Sequence, residues 1–397
     1  MITKRLYDTD AYLTEFEATV VECRQTNKEG EIEVVLNQTA FFPEQGGQTC
    51  DKGIITLDGK EHTVKDVQVD QGIIIHTIES TQLFAIGEKV SGKIDFVHRF
   101  NNMQNHTGEH MFTGIAHIMF DCDNVGFHLS DNTVTLDLNK KLTDEQIRLV
   151  EKTANQKISE NHRINCFYPS TEKLNEIDYR CKSSIEGDVR LVEIETVDVC
   201  ACCAPHVAMT SEVGMLIVTG WINYKGGVRV EILCGNRAFE YIRKSLDIVN
   251  LLKTSMKCAP EELLANVESQ TTRLKNAEYE LAQAKSLQLM SKLESIPTDQ
   301  NDVILFVDGE FDGKALRDGV NKLVGSHNGI CAIFAGNDDD GYSFNVGMAS
   351  VSDSKNCNII AQKLRTELSA KCGGTNEMIT GKVVAAREKV RGILCQQ

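Results

Sequence analysis

The sequence predicts an α+β chain of several domains: a small N-terminal β-barrel, an α+β domain carrying a metal site, a long helical arm and a terminal α/β domain. Three observations carry this. Short alternating apolar runs separated by turn signals dominate the N-terminal part. Two segments, His106-Thr-Gly-Glu-His110 and Cys202-Cys-Ala-Pro-His206, have the composition of one metal site. Heptad-like apolar spacing after Pro260 gives way, beyond Pro297, to strands alternating with helices. At 397 residues the chain exceeds one ordinary domain.

Residues 1–95 read as the barrel. Ala18-Thr-Val-Val-Glu-Cys, Glu31-Ile-Glu-Val-Val-Leu, Gly53-Ile-Ile-Thr-Leu and Gly72-Ile-Ile-Ile-His have strand character, with turn signals at Asn27-Lys-Glu-Gly30 and Asp58-Gly59. Gly87-Glu-Lys-Val-Ser-Gly-Lys-Ile-Asp supplies a closing strand. Near Phe100 the period becomes helical, and residues 96–250 mix helices with strands such as Val134-Thr-Leu-Asp-Leu and Val213-Gly-Met-Leu-Ile-Val.

Both metal segments fall in this second domain. The run Met103 to Ala116 has no proline and helical apolar spacing, so His106 and His110 lie on one face, one turn apart. Cys202 and His206 are also four apart, but Pro205 intervenes, and a tight loop feeding a short helix is the expected backbone. Three imidazoles and a thiolate suit tetrahedral zinc, with ligands roughly 2.0–2.3 Å from the metal. Cys200 and Cys203 flank Cys202, so the identity of the thiolate stays open among the three.

Pro260 opens a helix with Glu261 and Glu262 in its first turn, where the macrodipole favours anions. Leu263, Val267, Leu274, Ala277, Leu281 and Ala284 then form a seam within an arm at 251–296. Such a seam pairs with another helix or lies on its own domain. Residues 297–397 read as an α/β domain with strands at Val303-Ile-Leu-Phe-Val and Ile330-Cys-Ala-Ile-Phe. There, Cys372-Gly-Gly-Thr with Lys382, Arg387, Lys389 and Arg391 offers either a phosphate-contacting edge or an ordinary solvated helix.

Composition narrows the function. A net charge of −15 disfavours non-specific polyanion binding, yet leaves room for a structured RNA met through a local basic surface and shape. No apolar stretch follows the N-terminal charges and none is long enough to span a bilayer, so a cytoplasmic chain with reduced thiols and no membrane contact is expected.

A second constellation is Thr39-Ala-Phe-Phe-Pro-Glu-Gln-Gly-Gly-Gln48, followed by Asp51 and Gly53. Gly46 and Gly47 permit close backbone approach to a ligand, while Thr39, Gln48 and Asp51 offer hydrogen-bonding groups. Taken in order, this loop, HxxxH, and CxxxH about a hundred residues later resemble the editing domain shared by alanyl-tRNA synthetases and the free-standing alanyl-tRNA editing proteins of the AlaX family. Gly126-Phe-His-Leu, Gly227-Val-Arg-Val-Glu and Gly235-Asn-Arg237 are further matching pieces. The arm and terminal domain resemble the C-terminal, DHHA1-like module of the synthetase, although its glycine-rich signature is reduced here to Cys372-Gly-Gly-Thr-Asn. The whole pattern resembles the long free-standing class.

The resemblance implies zinc-dependent hydrolysis of the ester joining serine or glycine to alanine tRNA. It makes His106, His110, Cys202 and His206 the zinc ligands. Thr39 and Gln48 become the expected catalytic residues, Thr39 by meeting the serine hydroxyl; Gly46, Gly47, Asp51 and Arg229 are expected to bind substrate. A serine hydroxyl meeting Thr39 is rewarded, whereas alanine leaves that partner unpaired. No general base is assigned; Glu109 is read as a solvated or supporting residue. The partners expected are mischarged alanine tRNA and a second copy of the chain, joined through the arm. A non-catalytic, zinc-stabilised tRNA-binding or synthetase-associated protein is the alternative. A metallopeptidase is disfavoured, because glutamate precedes the second histidine rather than following the first.

Overall fold

A computed structural model describes residues 2–181 and 188–395. The chain divides into two compact units, Met1–Asn250 and Leu251–Gln397.

The first unit opens with a closed barrel. Its strands run in the order Glu15–Gln25, Glu31–Leu36, Ile73–Glu79, Lys60–Asp70, Gly53–Leu57 and Lys89–Ile94, the last returning to the first, all antiparallel. Alternation decides which side chains enter: Phe16, Ala18 and Val20 point inward from one strand, Val90 and Ile94 from its neighbour. Between those two inward residues lies Gly92, where a Cβ would come within 2.3 Å of the Phe16 ring. The missing side chain makes the room that Phe16 fills.

The second half of this unit is built around the helix Phe96–Phe120. Asp95 caps its start by accepting from the His98 amide, and Asp121, in the left-handed region at φ 49°, ends it. The helix packs against an antiparallel sheet ordered Leu216–Tyr224, Gly227–Cys234, Val134–Leu138, Asn124–Leu129. It also touches the three-stranded sheet Ile164–Phe167, Leu191–Ile194, Asp198–Ala201 and the helix Asp144–Glu160. Covered on several sides, it buries every residue from Asn102 to Ala116, polar ones included. Polar groups placed there must find partners, which makes this stretch chemically informative.

Barrel and helix are fastened by a buried ion pair. Arg99 and Asp51 are both essentially inaccessible; the guanidinium meets both carboxylate oxygens, and Arg99 also donates to the carbonyls of Ala11 and Ala40. Asp51 accepts in addition from the Phe42 amide at 2.5 Å. The segment after Thr39 is thereby held against the helix that carries the histidines.

The second unit contains a five-stranded sheet ordered Val303–Val307, Ile330–Asn337, Gly341–Met348, Met378–Val383, Lys371–Gly374. Its first pair is parallel and the rest are antiparallel. The sequence between Cys372 and Gly374 thus forms an edge strand rather than a helix. The helix Leu263–Glu294 buries Leu289 and Leu293 in this unit's core, whereas Leu264, Leu274, Leu281 and Leu287 are exposed. Among the described residues no helix is long and apolar enough to cross a membrane.

Candidate metal centre

His106, His110, Cys202 and His206 converge. Their ligand atoms all lie within 4.8 Å of one another, and all four residues are buried or nearly so. Sγ of Cys202 is 3.5 Å from Nε2 of His106 and 3.4 Å from Nε2 of His206. A tetrahedral zinc with nitrogen and sulfur ligands has edges of about 3.5 Å, so the spacing fits the ion.

The outer partners fix which imidazole nitrogen faces inward. Nδ1 of His106 meets Oε1 of Gln48 at 2.7 Å, Nδ1 of His110 meets Oδ2 of Asp198 at 3.1 Å, and Nδ1 of His206 meets Oγ1 of Thr107 at 3.0 Å. With each Nδ1 turned toward an outer partner, each Nε2 faces the cluster, the arrangement that metal-binding histidines use. Burial disfavours a charged Cys202, but the imidazoles of His106 and His206 outweigh it and hold the thiol well below its ordinary range. Burial also brings His206 down to about 3. A cation would therefore meet a thiolate, the form in which cysteine ligates.

Backbone geometry serves the same end. The strand Asp198–Ala201 alternates, so Asp198 and Cys200 share a face beneath His110, and Cys202 follows as the chain leaves the sheet. Arg190 fastens that exit, its Nη1 donating to the carbonyls of Cys202 and Ala204 at 2.9 Å. Of the three neighbouring thiols, Cys202 joins the histidines. Cys200 groups instead with His110 and Asp198, and Cys203 lies toward Gly46, its thiol raised by burial to about 12.

The other anticipated residues divide. Gln48 is fully buried and bound to His106, and its Nε2 has no hydrogen-bond partner among the described residues. Gly47 takes φ +83°, and a Cβ there would lie 2.5 Å from the carbonyl oxygen of Phe127, whose ring centroid lies 4.7 Å from that of His106. Glycine lets the loop close over the cluster. Thr39 lies in the barrel interior, hydrogen-bonded to His76. The metal loop packs on the same core, through Cys202, Cys203 and Ala204 against the cluster containing Ala40, Phe41 and Phe42.

Asp51 and Arg229 are not brought to the cluster. Asp51 spends its carboxylate on Arg99 and the Phe42 amide, so it shapes the loop from beneath. Arg229 forms a two-pronged bond with Asp137 at 2.6 and 2.7 Å and stacks on Tyr224. Glu109, expected to be solvated or supporting, is not solvated. It is fully buried, accepts from Asn124 and Thr113, and lies 3.8 Å from Nε2 of His110. Asp198, Thr107 and Arg180 join the site without having stood out in the sequence. The alternating Asp198-x-Cys200-x-Cys202 is the signal available for the first of them.

Comparison with known proteins points the same way. Residues 5–97 match the family described as tRNA synthetases class II (A), and residues 189–231 match the threonyl and alanyl tRNA synthetase second additional domain. An alanine–tRNA ligase of Pyrococcus furiosus is 32% identical over 341 residues, covering 81% of this chain but 36% of that protein. One from Pyrococcus abyssi is 29% identical over 417 residues, covering 99% and 43% respectively. The chain thus spans well under half the length of the ligases it matches. The alanyl-tRNA editing protein AlaX-L of Pyrococcus horikoshii is 27% identical over 409 residues, covering 98% of this chain and 96% of that protein.

Proposed function

The chain is a relative of the long-form alanyl-tRNA editing proteins over nearly its whole length, and from that premise we propose that it deacylates mischarged alanine tRNA, bearing serine or glycine, in a zinc-dependent hydrolysis. The single observation that carries the reading is the set His106, His110, Cys202 and His206, roofed by the Gly46-Gly47-Gln48 loop.

The reaction adds water across the acyl–oxygen bond. The water oxygen joins the carbonyl carbon, and the ribose oxygen leaves with a proton, giving free amino acid and uncharged tRNA. His106, His110, Cys202 and His206 would hold zinc, which would supply Lewis acidity toward the ester carbonyl. The chain's own contribution is position. Gln48 keeps its carbonyl on His106, which leaves its buried Nε2–H free to donate to the ester oxygen as negative charge develops there. Thr39 meets the serine hydroxyl, and an alanine ester, lacking it, gains no such bond. An aminoacyl ester is labile enough for orientation and charge stabilisation to suffice.

Fourteen free thiols agree with a reducing, cytoplasmic setting. Alanine tRNA is the partner, and a second copy pairs through the arm. One observation favours a second reading: four protein groups are at hand, enough to fill every position of a tetrahedral zinc as in structural sites, which suits a non-catalytic tRNA-binding protein. The experiment that separates the two is deacylation of serine-charged against alanine-charged alanine tRNA by the wild-type protein and by Cys202→Ala. Loss of serine with alanine spared, abolished in the variant, supports the hydrolase; hydrolysis of neither substrate by the wild type moves the weight to the binding protein.

A further inference from the structure

Inside the barrel, the hydrogen-bonding state of Thr39 is determined by a histidine that the reaction does not otherwise involve. His76 is fully buried, and its Nδ1 lies 3.1 Å from the carbonyl oxygen of Val34. A carbonyl only accepts, so Nδ1 carries the proton. Burial pushes the imidazole down to about 4, which leaves Nε2 as a bare acceptor at neutral pH. Nε2 faces Oγ1 of Thr39 at 2.9 Å, so the threonine hydroxyl donates its hydrogen to His76. The Phe41 amide occupies one of the two lone pairs on Oγ1, at 3.1 Å. Among the described residues one lone pair remains, and no hydrogen.

We infer that His76 is a specificity-determining positioning residue that locks the Thr39 hydroxyl as a pure hydrogen-bond acceptor, selecting an acyl group that carries a hydroxyl donor. It rests on the reading of Thr39 as the residue that meets the serine hydroxyl. A free threonine hydroxyl rotates to donate or accept and so tolerates many partners. Here the orientation is set before substrate arrives. The T-shaped packing of His76 on Phe41, with ring centroids 5.6 Å apart, holds the imidazole in place.

The test compares kcat/KM for serine-charged and glycine-charged alanine tRNA in His76→Leu, His76→Gln and Thr39→Val. Glycine has no hydroxyl and serves as the internal standard. His76→Leu frees the threonine hydrogen, and the serine-to-glycine ratio is expected to fall roughly tenfold. His76→Gln offers an amide oxygen to Thr39 and an amide N–H to Val34, and is expected to restore most of the ratio. A histidine that merely fills the barrel would lower both substrates alike, and an unchanged ratio in both His76→Leu and His76→Gln overturns the proposal. If Thr39→Val lowers the ratio while His76→Leu does not, the inference about His76 fails alone. If Thr39→Val leaves the ratio unchanged, the reading of Thr39 itself has failed, and the inference with it.

Discussion

Asp198 accepts from Nδ1 of His110 at 3.1 Å while Arg180 closes a fork on both of its carboxylate oxygens, at 2.7 and 2.9 Å. Arg180 also donates to Thr113, which donates to Glu109, so the groups behind His110 form one connected buried network. The arginine holds the carboxylate, and the carboxylate holds the ring with Nε2 toward the other ligands. Asp198→Ala is therefore expected to weaken zinc binding roughly 10- to 100-fold, the usual effect of losing such an outer partner. Arg180→Gln should have a smaller effect in the same direction. Competition against a chromophoric chelator measures both, and an undiminished affinity in Asp198→Ala would refute the role.

Asp51 and Arg99 are 48 residues apart in sequence and fully buried together. Removing one partner leaves an uncompensated buried charge, so Asp51→Ala or Arg99→Leu should destabilise the first unit by about 3–5 kcal/mol. Replacing both by apolar residues should lose clearly less than the sum of the two single changes. Trp221, the only tryptophan, lies in this unit and reports its unfolding by fluorescence. Additive single losses in a denaturant titration would count against the pair.

What is legible in the sequence and what is not divides along physical lines. His106 and His110 are legible because their relation is set inside one helix, and Cys202 and His206 because ligand chemistry at short spacing is rare. The barrel strands are legible through alternation, as at Val90 and Ile94. Glu109 looks solvent-facing in sequence because a helix normally keeps a wet face; this one is covered by sheets and a second helix, so its polar residues are interior. Asp51 looks like a ligand-binding carboxylate because its partner, Arg99, comes from a distant element, and nothing local in sequence marks an arginine that will be fully buried. Arg229 is expected to bind substrate on family likeness alone, and its capture by Asp137 depends on a strand pairing that aligns residues 137 and 229.

The arm helix Leu263–Glu294 leaves an apolar series uncovered: Leu264, Val267, Leu274 and Leu281 are each 44–71% exposed. A seam at this spacing suits helix pairing. The protein is expected to be a homodimer, with light scattering giving twice the 44.1 kDa of one chain. Leu274→Glu combined with Leu281→Glu, which puts charges into the seam, should return it to one chain. A wild-type monomer at micromolar concentration would refute pairing through the arm.

His76 also predicts how the fold responds to acid. Its ordinary value of 6.5 falls to about 4 through burial in the barrel. Below pH 6.5 the unfolded chain therefore binds a proton that the folded chain refuses, so this group's contribution is fully present above that pH and is lost as pH falls toward 4. The size is about 3 kcal/mol, since each tenfold difference in proton affinity between the folded and unfolded chain is worth about 1.4 kcal/mol. His76→Gln removes the titration while keeping an acceptor for Thr39 and a donor for Val34. Other acid-labile groups are common to both proteins, so the difference between their stability curves isolates this one. Trp221 fluorescence during urea unfolding, at neutral pH and again near pH 4.5, should show the wild type losing markedly more stability than the variant. Parallel losses would mean that the imidazole takes up its proton without disturbing the barrel, contrary to a buried ring whose only N–H is already committed to the Val34 carbonyl.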